Sequence, residues 1–332
     1  MDILATGVRR DERPLLERAF APRHTVRCLE PFLTADTVPL AVGYEAVCTS
    51  VNATLDAPVL EALVRGGTRL ITQRSTGYNN IDLDHAERLG LTVARVAAYP
   101  PHAVAEFAWT LATALNRRIT RADRRSHDLD PRLDGLLGRD LHGRTVGVIG
   151  TGRIGTAFAA IGRGYGMRLL GWDIAVNPGC EELGMEYVEL DRLCREADVI
   201  SLHVPLMPST HHLVDARRLA GMRDDVILVN TGRGALIDST ALIEALGEGR
   251  LGGVGMDVYE EQEGVFFHEE SLEVMTEETL ARLLTFSRVL LTFHQAYFTL
   301  DVIEEIVATS VRNVDDYLAG RITECTLVPK SP

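Results

Sequence analysis

The sequence has no apolar run long enough to cross a bilayer, no close pair of cysteines, no internal repeat and no low-complexity linker. Each absence excludes something. A spanning helix needs about 20 consecutive apolar residues, and no uncharged run here approaches that length. Residues 1–13 carry charges where a signal peptide would need its apolar stretch. The five cysteines, Cys28, Cys48, Cys180, Cys194 and Cys325, are odd in number and widely scattered. They match neither zinc spacing nor a disulfide framework, and they read as buried, reduced thiols of a cytoplasmic protein. Positive charge is also scarce. Lys plus Arg number 34 against 47 Asp plus Glu, a net charge of −13. Such a surface repels nucleic-acid phosphate and anionic lipid, so neither nucleic acid nor membrane is expected as a partner. Between Arg250 and Arg282 there is no cation at all, while acids run from Asp257 to Glu278. That stretch reads as a solvated acidic loop, apart from the residues around 262.

What is present points to a folded protein of two domains. The 332 residues are about twice the usual domain length, and the 46% hydrophobic fraction is enough for sizeable cores. Short β-branched or apolar runs at 1–5, 24–29, 46–50, 69–72 and 91–96 alternate with helical patterns such as 57–65 and 83–89. Pro100 and Pro101 open a long helical segment over roughly 102–127. A second series of strands follows at 145–150, 168–173, 198–203, 226–230, 253–258 and 288–292. Finally, Leu300, Ile303, Ile306, Val307, Val311, Val314 and Leu318 share a helical face, and Gly320 stands where a C-terminal cap is expected. Strands alternating with helices predict parallel α/β architecture throughout.

The second series opens with a strand, Val146 to Ile149, that runs into Gly150-x-Gly152-x-x-Gly155 and a helical pattern; a further strand then ends in Asp173. Gly150 permits a tight turn, Gly152 lets backbone N–H groups approach a pyrophosphate, and Gly155 lets the helix pack closely on the strand. Asp173 can accept hydrogen bonds from a ribose diol and would repel a 2′-phosphate, which favours NAD over NADP. Strand, turn, helix, strand and acid in this order make the signal specific.

Three further stretches carry a family resemblance: Asn230-Thr-Gly-Arg-Gly-Ala-Leu-Ile-Asp238, Gly255-Met-Asp-Val-Tyr-Glu260 and Thr292-Phe-His-Gln-Ala-Tyr297. With them the chain resembles the D-isomer-specific 2-hydroxyacid dehydrogenases, most of all the fermentative D-lactate dehydrogenases. The similarity extends over nearly the whole length, including residues 74–83, 95–108, 115–119 and 264–267. It implies NAD-dependent, reversible reduction of pyruvate to D-lactate. It also implies two doubly wound parallel-sheet domains: a Rossmann NAD domain at 101–298 and a flavodoxin-like substrate domain formed by 1–100 and 299–332. The junction helices would be hinges, with substrate between the domains, and a homodimer or higher homo-oligomer is expected.

The residue types suit that chemistry. Arg233 can clamp a substrate carboxylate through paired donors, and His294 can give or take the proton on the reacting oxygen. By the resemblance, Thr76 and Gly77 belong to a loop whose backbone N–H groups hold the carboxylate, and Tyr99 and Tyr297 line the pocket. Arg153 and Ile154 would lie at the pyrophosphate, Val204 and Pro205 near the adenosine, and Thr231, Gly232 and Asp257 near the nicotinamide. No metal is expected; His211-His212 with Asp215 reads as a solvated polar loop.

One family residue is missing. A glutamate expected five residues after Asp257, where the family bonds its catalytic histidine, is Gln262 here, flanked by Glu261 and Glu263. A neutral amide can orient the ring but cannot balance its charge, so the reduction is expected to weaken toward alkaline pH early. Alternatively, Glu261 or Glu263 takes the role. Formate dehydrogenases of the superfamily also carry glutamine at this place. Two other readings stay open: a different 2-oxoacid as substrate, and an NAD(H)-sensing binding protein without catalysis.

Overall fold

The computed structural model describes residues 1–260 and 278–329. The chain divides into two compact units, Met1–Pro100 with Phe298–Pro332, and Pro101–Tyr297.

In the first unit, β1 (Asp2–Ala5), β2 (Thr25–Cys28), β3 (Ala46–Thr49), β4 (Leu70–Gln73) and β5 (Thr92–Arg95) pair in parallel in the order β5-β4-β3-β1-β2. This is the flavodoxin-like winding. Strands β3 and β4 are buried along their whole length, which is why they read as unbroken apolar or small runs without alternation. A C-terminal strand, Thr326–Val328, adds to β5 in antiparallel fashion. The helix Ala57–Arg65 is capped by the Asp56 side chain on Val59 N–H with Pro58 in its first turn. Helix Leu300–Leu318 is capped by Thr299 on Val302 N–H and buries Ile303, Ile306, Val307, Val311 and Val314. Each such side chain contributes about 1.5–3 kcal/mol when fully buried. The predicted apolar face holds in its middle only, because Leu300 and Leu318 at its ends are exposed. Gly320 takes the left-handed conformation, φ +65°, that ends the helix.

In the second unit, seven parallel strands follow: β6 (Thr145–Ile149), β7 (Arg168–Trp172), β8 (Glu186–Tyr187), β9 (Val199–Leu202), β10 (Ile227–Asn230), β11 (Gly253–Met256) and β12 (Val289–Leu291). Their order is β12-β11-β10-β9-β6-β7-β8. The winding reverses between β6 and β9, so ligands are expected beyond the carboxyl ends of those two strands.

The long helix expected over 102–127 is two helices, His102–Asn116 and Ile119–His127. Arg118 breaks it by entering the left-handed region at φ +53°. Its guanidinium donates to Gly252 O at 2.9 Å, and the Asn116 amide donates to Arg139 O at 2.8 Å. Tertiary hydrogen bonds at the break outweigh local helix propensity. The first helix is anchored by Trp109, whose ring stacks on Phe158 at 4.6 Å and whose Nε1 donates to Phe158 O.

All five cysteines are free thiols, four of them buried. Burial pushes Cys28 and Cys194 up to about 11, so both stay protonated and inert. Among the described residues no helix is long and apolar enough to cross a membrane.

Candidate active site

The glycine turn sits at the switch point, between the end of β6 and helix Arg153–Gly164. Gly150 has φ +95°, and a Cβ there would lie 2.6 Å from the carbonyl carbon of His203, just past β9. A Cβ on Gly155 would come within 1.9 Å of Gly150 O, so only glycine lets the helix lie this close to the turn. Gly152 is the opposite case: beyond its Cα there is open space, and no side chain caps the first turn of the helix. The N–H groups of Arg153 and Ile154 therefore point, with the positive end of the helix dipole, at a vacant approach. Arg153 is exposed and the Ile154 side chain packs inward.

Asp173 follows β7. Its Oδ2 accepts from Thr151 N at 2.6 Å and Thr151 Oγ1 at 3.2 Å, and its Oδ1 accepts from Ile174 N at 2.7 Å. The carboxylate is thus pinned beside the glycine turn, with acceptor capacity left for a diol. Val204 is buried and Pro205 exposed beyond β9. Thr231, just past β10, is buried, and its Oγ1 has no partner among the described residues. An uncapped helix start, open space at Gly152, a pinned acid and an orphaned hydroxyl fit a dinucleotide.

The reactive groups stand at the same carboxyl-end edge. Asn230, the last residue of β10, folds the next loop: its Oδ1 accepts from Gly232 N and its Nδ2 donates to Arg233 O. Gly234 lets that loop press on the next segment, since a Cβ there would sit 2.0 Å from the backbone of Tyr259. Arg233 is exposed, with one guanidinium bond to Gly232 O at 2.9 Å.

Asp257, one residue past β11, is wholly buried. Its Oδ1 accepts from Thr292 Oγ1 at 2.6 Å and Gln295 N at 2.9 Å, and its Oδ2 accepts from Ala296 N at 2.8 Å. Its carbonyl accepts from His294 N at 2.7 Å. Asp257, expected beside the nicotinamide, is placed as the residue that shapes the loop carrying His294. That histidine has φ +50°, a left-handed conformation costly for a side chain of this size. Its ring meets Tyr297 edge-on at 6.2 Å. Burial lowers its pKa below the usual histidine range; Asp257 pulls it up and the nearby Arg233 adds to the depression.

In the first unit, Thr76 and Gly77 follow β4. Arg95 donates to Thr76 O at 2.5 Å, and Gln73 and Ser75 both donate to Gly77 O at 2.7 Å. With the carbonyls tied back, the N–H groups of Thr76 and Gly77 bond nothing among the described residues, as an anion-binding loop requires. Tyr99 lies half-buried after β5. Gln262, with Glu261 and Glu263, lies outside the described residues.

The sequence reading missed Arg95, Gln73 and Asn230, which position the loops. Their only signal was polarity at a strand end, where a purely apolar residue would have ended a buried strand equally well.

An α/β chain whose open helix start, acid pinned beside the glycine turn, arginine and histidine stand on one sheet edge has the parts of a dinucleotide-dependent oxidoreductase. The family model for the D-isomer specific 2-hydroxyacid dehydrogenase, NAD binding domain, matches residues 109–296. The D-lactate dehydrogenase of Escherichia coli is 46% identical over 296 residues, covering 89% of this chain and 90% of that one. The 2-hydroxyacid dehydrogenase A of Aspergillus oryzae is 45% identical over 296 residues, 89% of this chain and 85% of its own. The apo-structure of the Escherichia coli D-lactate dehydrogenase superposes with a TM-score of 0.91 at 41% identity, covering 99% of this chain and all of that one. The chain belongs to the D-isomer-specific 2-hydroxyacid dehydrogenase family and is an NAD-dependent enzyme.

Proposed function

We propose that the protein reduces pyruvate to D-lactate and catalyses the reverse oxidation. Bound NADH supplies the hydride. The chain supplies the rest. Arg233 binds the substrate carboxylate and polarises the carbonyl. His294 delivers its ring proton to the carbonyl oxygen and recovers one in the oxidative direction. Tyr297, whose ring meets that of His294 edge-on, limits the substrate to a small side chain.

The observation that carries this reading is that Arg233, just past β10, and His294, just past β12, stand at the carboxyl ends of strands in one parallel sheet, where the arginine's charge adds to the depression of the ring's pKa. A carboxylate bound to Arg233 would cancel that charge and ready the imidazolium as a donor. Pyruvate as substrate is supported by the relative named D-lactate dehydrogenase. The test is NADH oxidation by the purified protein from about pH 5 to about pH 9, across the range in which histidine titrates. The assay covers pyruvate and a panel of bulkier and aromatic 2-oxoacids. Fastest turnover on pyruvate supports the reading. Preference for a larger 2-oxoacid reassigns the substrate within the family, and tight NADH binding without any turnover indicates a sensor.

A further inference from the structure

The loop between β9 and β10 carries His211 and His212, and the structure gives them an acid other than the Asp215 considered from sequence. Asp215 is spent on capping a helix, accepting from Arg218 N at 2.8 Å. Glu260 comes in instead: its Oε1 lies 2.5 Å from His212 Nε2. The rings of His211 and His212 stack at 3.9 Å, and one ligand atom from each of the three residues falls within 4.8 Å of the others.

We propose that His211, His212 and Glu260 form a binding site for one divalent transition-metal ion of the zinc type, none of the three being among the residues assigned to the dinucleotide or the substrate. Two imidazole nitrogens and one carboxylate oxygen are the donor set of an open zinc site, with water in the fourth position. Nitrogen donors select zinc, cobalt or nickel over magnesium or calcium.

The surroundings prepare the ligands. His212 is held at φ +48°, with its N–H on Ala235 O at 2.8 Å, an unusual backbone state that turns its ring to Glu260. Asp238 Oδ2 lies 3.8 Å from His212 Nδ1, so the ring presents Nε2, not Nδ1, to Glu260 and a metal. Ser239 N donates to Glu260 Oε2 at 3.3 Å, which leaves Oε1 as the ligand oxygen. His211 is exposed, so its ring can swing from the stack into the coordination sphere. Metal–ligand distances of about 2.0–2.1 Å would part Nε2 and Oε1 to roughly 3 Å, a movement within reach of two side chains that are only half-buried. The ion takes the place of the proton shared between them, and binding releases that proton.

The test uses the untagged full chain, titrated with Zn2+ against a chromophoric chelator and, separately, with Co2+ followed by visible absorption. One Zn2+ per chain is expected, together with a Co2+ spectrum of low coordination number and no competition from Mg2+. His211→Ala, at an exposed position, should keep NADH binding intact and lower zinc affinity about tenfold or more. Glu260→Gln should do the same. The proposal is overturned if the wild-type chain takes up no zinc at micromolar concentration, or if His211→Ala binds it as tightly as wild type.

Discussion

Asp257 holds His294 by its carbonyl, at 2.7 Å from the histidine N–H, while its carboxylate accepts the next two backbone N–H groups, those of Gln295 and Ala296. One buried residue therefore sets both the backbone of the His294 loop and part of the ring's electrostatic surroundings. In Asp257→Asn the amide must turn its NH2 toward the N–H of either Ala296 or Gln295, which leaves a buried donor unmatched at a cost of about 1–3 kcal/mol. The charge that raises the His294 pKa is lost as well. The expected outcome is a lower melting temperature and a pH profile for reduction whose falling limb moves to lower pH. A merely structural role would leave the limb in place.

The pH dependence follows from the state His294 must be in. As donor the ring carries a proton, and burial holds its pKa below the usual range. Reduction is then fully active below that depressed pKa and fades as pH rises through it; oxidation, needing the neutral ring, runs the other way. Gln262→Glu places a carboxylate where the family has one, and should shift the falling limb alkaline by about one pH unit. A profile unchanged by the substitution would argue that Glu261 or Glu263 already acts on the ring.

On the proposed reading, Asp173 sets cofactor selectivity. Removing the carboxylate in Asp173→Ala deletes its bonds to Thr151 and the acceptor for the ribose. A hydrogen bond to a charged group contributes about 1.5–3 kcal/mol, so KM for NADH should rise roughly ten- to a hundredfold. Turnover with NADPH should improve relative to NADH as the repulsion is lifted. Steady-state kinetics with both cofactors decide it.

Gly234 separates the arginine loop from Tyr259 by less than one methyl group. Gly234→Ala should push Arg233 out of place and raise KM for the 2-oxoacid about a hundredfold, with NADH affinity nearly unchanged. Fluorescence titration of NADH alongside the kinetics separates this from general unfolding.

His203 makes a prediction about stability. Its Nε2 is buried against Phe158 without a partner among the described residues, and burial pushes its pKa down to about 3. The fold prefers the neutral ring, so this contribution is complete above the unfolded value of about 6.5 and is lost as pH falls toward 3. His203→Gln should flatten the decline in melting temperature between about pH 6.5 and about pH 4.

Much of this was legible because the decisive signals are local. Buried parallel strands read as short apolar runs, and the glycine turn with Asp173 needs its residues at fixed offsets. The break at Arg118 was not legible, because the bonds that favour it come from Gly252 and Arg139, distant in sequence. Glu260 could not be matched with His212 for the same reason. The bonds that Asp257 makes to Thr292, Gln295 and Ala296 were not legible either, since sequence records that an acid is present but not which groups will surround it. Strands as short as Glu186–Tyr187 and Thr326–Val328 carry too few residues for a period to register.

The first unit is closed by the chain's last segment: helix Leu300–Leu318 packs on β4 and β5, and Thr326–Val328 pairs with β5. During synthesis, the first hundred residues leave the ribosome with β5 as an open edge and must wait for everything between. The inserted unit, continuous in sequence, can complete its own sheet first. Once residue 297 has emerged from the ribosome, the nascent chain therefore carries a finished nucleotide-binding unit attached to an unfinished N-terminal one, exposing an unpaired strand edge to chaperones or to a neighbouring nascent chain.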